Sequence, residues 1–513
     1  MFKTAIVEAA RGALERLYDA LIDPARCERA MALLLAGYAA AWTLYAVIAK
    51  GSQGIHFDMG EVVAWSHEVS LGTPKHPPLA AWLVRGWFAV MPAEPWAYYL
   101  FAVALATVAL WIAWHVAGRY LPPDKRLLGI LLLSIIPFYN FHAVKFNANS
   151  VLLPFWAATT WFFLRSFETR RAGWAVLAGA AAAAAMMGKY WTIFLLAGLG
   201  LAALVDPRRA AYFRSPAPWL TVATGAALLT PHVVWIFSHD FGPFRYAFGA
   251  HPASYAGAAL YALFFLGGSV AFVAVPMALN LLATRPSAVA VGDSLWPPPG
   301  ERRTALVALI APVFIAALGS ILIRMKIGAL WTMSGMTLLP VALLSSPLVS
   351  VRRNAVVGVL ALALAYPLVM VAASPLIAMV VHREGVPLYA AHYQLIARAV
   401  ERAWNARTNA PLRIVGSYTV IVNGIVFYFE TKPSTLDIIS PAQTPWVDDE
   451  RIKREGIVIV CPVPESHCVD AMNGYAARYP SATIEDVGLA RRFFGTPDKP
   501  VQYRILTIPP QGR

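Results

Sequence analysis

The chain contains eleven apolar segments separated by charged residues, Pro or Gly, and this repetition restricts its possible folds more than any other feature. A hydrocarbon core of about 30 Å is crossed by about 20 apolar residues of helix. We therefore predict a polytopic α-helical membrane protein with about eleven transmembrane helices. These lie near residues 30–49, 96–117, 127–140, 150–165, 172–187, 190–205, 217–237, 256–282, 304–323, 329–347 and 354–376.

The composition supports a membrane protein and excludes several other classes. Hydrophobic residues make up 58% of the 513 residues and charged residues only 14%, which excludes a disordered chain, a coiled coil and a disulfide-rich secreted module. The formal net charge is +14. The basic residues are scattered singly through apolar sequence, however, so we expect membrane lipids as partners and no nucleic acid.

The distribution of Lys and Arg predicts the orientation. With the N-terminus in the cytoplasm, the inner segments contain nineteen Lys and Arg residues, and the outer loops before the last span contain eight. This surplus follows the positive-inside rule. We therefore expect a membrane protein in which everything after residue 376 lies on the outer side of the membrane.

The polarity of the sequence divides the chain into three parts. An amphipathic cytoplasmic arm is followed by the transmembrane domain, whose first outer loop covers residues 50–95, and then by a soluble α/β domain on the outer side. The predicted bounds are 1–28, 29–380 and 381–513. In the last part, residues 412–416 and 456–460 are typical of buried strands, and residues 389–405 and 466–478 of helices. Cys461 and Cys468 form a disulfide there, or remain free thiols.

The first outer loop concentrates the scarce carboxylates. Asp58, Glu61, Trp65 and Glu68 recur at helical spacing, which places them on one face of a helix beside the membrane. Met59, Val62, Ser66 and Val69 occupy another face, which we expect to lie against the membrane. The pattern predicts a helix that presents carboxylates to a cleft; a solvated amphipathic helix is the alternative.

The same loop resembles the bacterial glycosyltransferases of the protein-mannosyltransferase-like superfamily, which have the GT-C fold. The matching positions are Asp58, Trp65-Ser66, Gly72, His76-Pro77-Pro78-Leu79 and Trp82, without gaps. Lys189-Tyr190, and Pro231 to Trp235 followed by His239-Asp240, resemble later segments of the family. Relatives include lipid A aminoarabinose transferases, lipopolysaccharide-core galacturonosyl transferases and protein O-mannosyltransferases.

Two positions depart from the family pattern. Met59 stands where the family has the second carboxylate of an Asp-Glu pair, so Glu61 is the candidate replacement. Asn149, in the sequence Asn147-Ala148-Asn149, stands where relatives have an Asp seven residues before a Trp, here Trp156. The loss of that carboxylate puts a metal or substrate contact of the relatives in doubt.

The resemblance implies an inverting transfer of a sugar from a polyprenyl-phosphate-linked donor to an envelope lipid or lipopolysaccharide acceptor. It also implies a bacterial inner (plasma) membrane, so that the first outer loop, with the active site, and the C-terminal domain lie in the periplasm. Asp58 is the candidate base for the acceptor hydroxyl, and Glu61 orients the acceptor or holds a cation, or is a solvated acid. Cations must meet the departing phosphate. The predicted phosphate-binding residues are Lys189, His76, Arg324, Lys75 and Arg245, and the predicted acceptor- or sugar-binding residues are Trp65, Asn147, Asn149, Tyr190 and Asp240.

Cofactors and other functions complete the sequence predictions. His76 either contacts phosphate, binds a divalent metal ion together with Asp58, or is only part of a proline-flanked loop. No Walker-type loop is present, so no nucleotide is expected. A membrane transporter or lipid flippase is the alternative function, but the acids cluster in one outer loop and no repeated halves are visible. A protein O-mannosyltransferase is a further alternative.

Overall fold

The computed structural model describes residues 2–511, with side chains from residue 8 onwards, and its main elements are helices. The helices from the N-terminus to the last apolar segment are α1 (Phe2–Ile22), α2 (Cys27–Ala49), α3 (Phe57–His67), α4 (Leu79–Val90), α5 (Pro95–Ala117), α6 (Pro123–Ile135), α7 (Leu152–Thr169), α8 (Ala172–Gly188), α9 (Thr192–Val205), α10 (Arg209–Phe213), α11 (Ala217–Ser238), α12 (Gly242–Ala250), α13 (Tyr255–Thr284), α14 (Ala288–Leu295), α15 (Glu301–Leu322), α16 (Leu339–Leu344) and α17 (Arg353–Glu384).

Four more helices and seven strands form the C-terminal part. The helices are α18 (Tyr393–Asn405), α19 (Thr419–Val426), α20 (Asp449–Glu455) and α21 (Ser466–Arg478). The strands are β1 (Ile414–Ser417), β2 (Ser434–Asp437), β3 (Ile457–Pro462), β4 (Thr483–Leu489), β5 (Arg492–Phe493), β6 (Thr496–Pro497) and β7 (Val501–Ile508).

The chain forms two compact units. The first unit contains the chain up to Thr43 together with Leu100–Met370, and the second contains Leu44–Tyr99 together with the chain from Val371 onwards. The first outer loop therefore belongs to the same unit as the C-terminal sheet. The three boundaries predicted from the sequence divide the chain differently, and they stay predictions.

The predicted apolar segments are helical over most of their length, so this protein is a multi-pass membrane protein. Six helices within residues 2–511 are long and apolar enough to cross a membrane by themselves: α2, α5, α11, α13, α15 and α17. The segment predicted at 329–347 begins as a 3₁₀ helix over Ala329–Leu338 and continues as α16. The predicted number of eleven spans is therefore not confirmed.

Small residues let the helices of the first unit approach closely. A Cβ on Gly198 of α9 would lie 2.5 Å from the ring of Pro312 in α15, and a Cβ on Gly179 of α8 would lie 2.3 Å from the carbonyl oxygen of Thr221 in α11. Because lipid tails are as apolar as the helices, close packing of this kind replaces the hydrophobic effect as the source of association.

The C-terminal part contains a five-stranded mixed sheet in the order β2-β1-β3-β7-β4. Strands β1, β2 and β3 are parallel, and β7 runs antiparallel to β3 and β4. Val458 and Val460 of β3 pack with α18 and α19 on one face, and Ile457 and Ile459 pack with α21 on the other. Both faces are therefore covered, which explains the continuous apolar runs in β1 and β3.

The predicted α/β domain is confirmed in its local elements. The helix expected at 466–478 has these bounds as α21, and β1 and β3 overlap the two predicted strands. Cys461 at the end of β3 and Cys468 in α21 form a disulfide. Of the two alternatives left open by the sequence, the disulfide is therefore the one present, and it joins β3 to α21.

The first-loop helix α3 forms as its spacing predicts, but two details of the prediction were wrong. The helix ends at His67, and Glu68 follows in extended backbone with its carboxylate accepting a hydrogen bond from Ser434 Oγ at 2.6 Å. Met59 and Val62, predicted to lie against the membrane, are 1% and 2% exposed. They are covered by protein because α19 of the C-terminal part packs on α3.

The contact between α3 and α19 depends on Gly60. A Cβ at this position would lie 1.8 Å from the carbonyl oxygen of Asn423, and no rearrangement of one side chain relieves a clash with backbone. We predict that Gly60→Ala lowers the free energy of unfolding by about 2 kcal/mol or more. The midpoint of thermal unfolding in detergent measures the effect.

A glycine in the neighbouring helix provides the control for this substitution. A Cβ on Gly86 of α4 meets no atom within 4 Å. Gly86→Ala should leave the midpoint unchanged or raise it, because Ala favours a helix by up to about 1 kcal/mol over Gly. Equal midpoints for the two variants would contradict the tight contact at Gly60.

Candidate functional site

The candidate base Asp58 lies in the first turn of α3. His56 caps this helix, since its Nδ1 accepts a hydrogen bond from the backbone N–H of Asp58 at 3.1 Å. The same Nδ1 lies 3.6 Å from Asp58 Oδ1, and the Asp58 side chain is 24% exposed. A carboxylate in the first turn is stabilised by the positive end of the helix. Asp58 is thus held as an accessible carboxylate.

The His-Pro-Pro segment follows a tight turn. The hydroxyl of Thr73 donates to the carbonyl oxygen of His76 at 2.9 Å and accepts from the backbone N–H of His76 at 3.0 Å. The His76 ring packs edge-on against Trp65 of α3 with centroids 5.8 Å apart. The turn therefore fixes His76 beside α3, in the same unit as Asp58.

Glu61 and Lys75 form an ion pair with each other. Their side chains are only 14% and 15% exposed. The amide of Asn423, in α19, donates to Glu61 Oε1 at 3.3 Å. Burial raises the pKa of Glu61, while the ammonium of Lys75 opposes the increase. A catalytic role for Glu61 and a phosphate-binding role for Lys75 stay predictions, and their pairing adds a structural role for both.

A narrow cavity borders this ion pair, with Trp65 in its wall. Polar side chains of the C-terminal part line the rest of it: Thr419, Asn423, Thr435, Asp437, Gln443, Thr444 and Trp446. The hydroxyl of Thr435 is buried and has no hydrogen-bond partner within residues 2–511. The cavity has a volume of about 20 Å³, which is room for about one water molecule among these polar groups.

In the first unit, Lys189 lies in the connection between α8 and α9. Its Nζ donates to Asn149 Oδ1 at 2.6 Å and lies 4.2 Å from the ring centroid of Trp331. Desolvation lowers the pKa of Lys189 to about 7. The ammonium is thus held by a neutral amide and an aromatic face. We name Asn149, Lys189 and Trp331 the Lys189 cluster.

The other predicted residues of the first unit have different surroundings. Asn147 shapes the turn before Asn149, since its Oδ1 accepts from the backbone N–H groups of Asn149 and Ser150 at 2.8 and 3.2 Å. Tyr190 Oη lies 2.8 Å from His232 Nε2 of α11. The turn of Asn147 therefore presents Asn149 to Lys189.

Three further candidates are exposed. Asp240 lies at the turn between α11 and α12, and Arg245 lies in the first turn of α12. Arg324 follows α15, with its guanidinium 5.7 Å from the ring centroid of Tyr255. The carbonyl oxygen of Arg324 accepts from the backbone N–H of Ala253 at 2.9 Å, which joins two connecting segments. None of these three side chains is part of the Lys189 cluster.

Known proteins resemble this chain in sequence. Residues 75–235 match the family model of dolichyl-phosphate-mannose-protein mannosyltransferases. Over 203 residues the chain is 24% identical to the lipid A galacturonosyltransferase RgtD of Rhizobium johnstonii. This match covers 39% of the chain and 42% of RgtD. Less than half of the relative is therefore matched.

The structural likeness extends further. ArnT of Cupriavidus metallidurans, solved with bound undecaprenyl phosphate, superposes with a TM-score of 0.62 at 13% sequence identity. The superposition covers 92% of this chain and 97% of ArnT. The apo structure of the same ArnT gives a TM-score of 0.50 at 12% identity.

This chain shares the fold of ArnT. The resemblance predicted from the sequence is confirmed over residues 75–235. The predicted fold class, a helical membrane domain of GT-C type with a C-terminal α/β domain, is also confirmed. The family match includes His76 and Lys189 but begins after Asp58. The roles of the individual site residues stay predictions.

The predicted divalent metal at Asp58 and His76 stays a prediction. Within residues 2–511, no three side chains of His, Cys, Asp or Glu come together as metal ligands. Mg²⁺ is commonly held by one or two carboxylates together with waters and substrate phosphates, so an ion at Asp58 would take most of its ligands from water or substrate. We assign no chemical step to a metal.

Sequence reasoning missed three residues that complete these sites. His56 caps α3 but reads as a surface residue, because His is not among the common capping residues. Asn423 and Trp331 lie far along the chain from Glu61 and Lys189, in segments whose apolar character indicated only burial. A buried Lys beside an apolar span signals that some partner exists, without identifying it.

The Glu61–Lys75 pair generates a prediction about stability. Removing one partner of a buried ion pair leaves the other charge desolvated, so Glu61→Gln and Lys75→Met should each destabilise the fold, while the double variant should recover part of the loss. We expect a coupling of about 2–3 kcal/mol in a double-mutant cycle of thermal unfolding.

The exposed pair Arg504–Asp486 is the matched comparison. Its side chains are 32% and 48% exposed at a distance of 2.8 Å, and the same cycle there should give less than about 1 kcal/mol. Similar coupling at both pairs would show that the burial of Glu61 and Lys75 has no energetic consequence.

Proposed function

We propose that this protein is an inverting glycosyltransferase of the inner membrane. It transfers a sugar from a polyprenyl-phosphate-linked donor to a lipid A-type or other lipopolysaccharide acceptor on the periplasmic side. The fold shared with ArnT, which was solved with undecaprenyl phosphate, and the sequence similarity to a lipid A galacturonosyltransferase support this proposal. The observation that carries it is the Lys189 cluster.

The Lys189 cluster favours an anionic ligand. An ammonium that is desolvated without a carboxylate is unstable, which is why its pKa falls to about 7. A phosphate restores the missing countercharge and forms a charge-assisted hydrogen bond. We assign the donor phosphate to Lys189, with His76, Arg324, Lys75 and Arg245 as further candidates for phosphate contact.

Asp58 has the role of general base. Its carboxylate takes the proton of the acceptor hydroxyl as that oxygen attacks the anomeric carbon of the donor sugar. The bond from the anomeric carbon to the phosphate oxygen breaks, and the lipid phosphate leaves with the bonding electron pair. The attack occurs opposite to the leaving group, so the anomeric configuration inverts. Cations stabilise the charge that the phosphate gains.

Two arguments support a periplasmic active site: the distribution of Lys and Arg along the sequence, and the energy source of the transfer. The surplus of Lys and Arg in the predicted inner segments places the first outer loop with Asp58 outside the cytoplasm. A donor that carries its sugar on phosphate contains its own activation, so the transfer needs no ATP.

Replacing Asp58 tests the base. Asp58→Asn keeps the shape of the side chain and removes the proton acceptor, so transfer should fall by about 10²–10⁴-fold while donor binding remains. The assay uses purified protein, a polyprenyl-phosphate sugar and a lipid A acceptor, with transfer followed by mass spectrometry.

The control is another outer carboxylate. Glu94 is exposed just before α5, and Glu94→Gln should retain full transfer. Unchanged transfer in Asp58→Asn would refute Asp58 as the general base. Transfer to a protein instead of lipid A would support a protein O-mannosyltransferase, and movement of the donor across liposomes without transfer would support a transporter.

The pKa of Lys189 predicts how donor binding depends on pH. The protonated fraction of a Lys with a pKa of about 7 falls about tenfold between roughly pH 6 and 8. The phosphodiester of the donor does not titrate in this range. Donor affinity should therefore decrease by up to about tenfold over the same interval, measured by equilibrium binding of a short-chain donor.

Two variants separate Lys189 from other causes of pH dependence. Lys189→Arg keeps its charge over the whole range, so the decrease should disappear. Asn149→Asp places a carboxylate against the ammonium, which should raise the pKa of Lys189 and move the decrease to higher pH. An identical pH profile in wild type and Lys189→Arg would rule out Lys189 as the phosphate-binding cation.

A further inference from the structure

A second basic site lies in the first unit, away from the residues discussed so far. A cleft of about 340 Å³ opens between the end of α13 and the beginning of α17. It is lined by Leu282, Ala283, Thr284, Arg285, Arg352, Arg353, Asn354 and Ala355. Its size falls within the range of about 300–1,000 Å³ that is typical of ligand pockets.

The three arginines of the cleft are unequally neutralised. Arg353 makes a bidentate ion pair with Asp19 of α1, with N–O distances of 2.7 and 2.8 Å. Within residues 2–511, Arg285 and Arg352 have exposed side chains that form no hydrogen bond or ion pair. The cleft therefore retains two uncompensated positive charges beside a carboxylate that is already engaged.

The position of the cleft along the helices indicates which anion it meets. Both α13 and α17 are long and apolar enough to cross a membrane, and Arg285 and Arg352 lie one residue beyond their ends. Leu282, at the rim, is 70% exposed. An apolar rim and guanidinium groups at the end of two spans match the boundary between the acyl chains and the phosphates of a bilayer.

We propose that this cleft binds the headgroup phosphate of an anionic glycerophospholipid of the inner leaflet, held by Arg285 and Arg352. Guanidinium groups bind phosphate oxygens through two parallel hydrogen bonds, which a lysine does not do. The N-terminus of α17 adds positive potential at the same place. Leu282 contacts the acyl chains. We assign the lipid to the inner leaflet because the predicted orientation has both arginines in cytoplasmic segments.

This lipid site is independent of the proposed sugar transfer. It involves neither Asp58 nor the Lys189 cluster, so a protein without glycosyltransferase activity would retain it. A bound lipid at this position would connect the ends of α13 and α17, which lie far apart in the sequence. Arg353 of α17 already contacts α1, through Asp19 and the ring of Tyr18.

Native mass spectrometry of the full-length protein in detergent tests the site. The probes are phosphatidylglycerol, phosphatidylcholine and inorganic phosphate. Wild type should retain phosphatidylglycerol in preference to phosphatidylcholine, and the double variant R285Q/R352Q should lower the affinity for phosphatidylglycerol about 30-fold. The double variant R170Q/R171Q, which removes two exposed arginines between α7 and α8, should bind like wild type.

Three outcomes would contradict the proposal. Equal affinity of wild type and R285Q/R352Q would exclude the cleft, and an equal loss in R170Q/R171Q would attribute binding to the general basic surface. Saturation by inorganic phosphate that displaces the lipid would identify a soluble anion as the ligand. The single variants R285Q and R352Q should each show an intermediate loss, which distinguishes lost contacts from a general loss of folding.

Discussion

The cost of removing a charge from water determines the sites of this structure. The chain has few charged residues for its length, and a desolvated charge needs a partner or a shifted pKa. The side chain of Asp206 is fully buried and has both a partner and a shifted pKa. Its carboxylate accepts hydrogen bonds from the guanidinium of Arg208 at 2.9 Å and from the hydroxyl of Thr304 at 2.5 Å. Burial raises the pKa of Asp206, but these hydrogen bonds outweigh it and lower the pKa. Within residues 2–511, the partners of the Lys189 ammonium are neutral: the amide of Asn149 and the ring of Trp331. This difference separates a charge that joins two helices from one that the proposed function gives to a ligand.

The parts of the fold that depend on local sequence could be predicted. The apolar segments indicated helices because a backbone in lipid must satisfy its hydrogen bonds internally. The helix α21 and the strands β1 and β3 followed from periodicity and from buried apolar runs. The helical spacing of Asp58 and Glu61 predicted α3. Each of these features depends on residues within one or two turns of each other.

The parts of the fold that depend on distant residues could not be predicted from the sequence. Periodicity shows that Met59 and Val62 share an apolar face, but not whether lipid or protein covers it, since both are apolar. Here protein covers the face, and Gly60 permits the contact. The amide that reaches Glu61 comes from a residue 362 positions away in the sequence. Likewise, Trp331 reads as part of an apolar span, and only the fold brings its ring to Lys189.

The asparagine at position 149 has a consequence that follows from this energetics. Where the family resemblance leads one to expect a carboxylate, the amide oxygen of Asn149 accepts the hydrogen bond of Lys189 at 2.6 Å. A carboxylate there would neutralise the ammonium and raise its pKa. The amide accepts a hydrogen bond from the ammonium but leaves the positive charge uncompensated. The substitution therefore does not remove a functional group from the site. Under the proposed function, Asn149 leaves the neutralisation of Lys189 to the ligand, and it makes the binding of an anion there more favourable than it would be beside an aspartate.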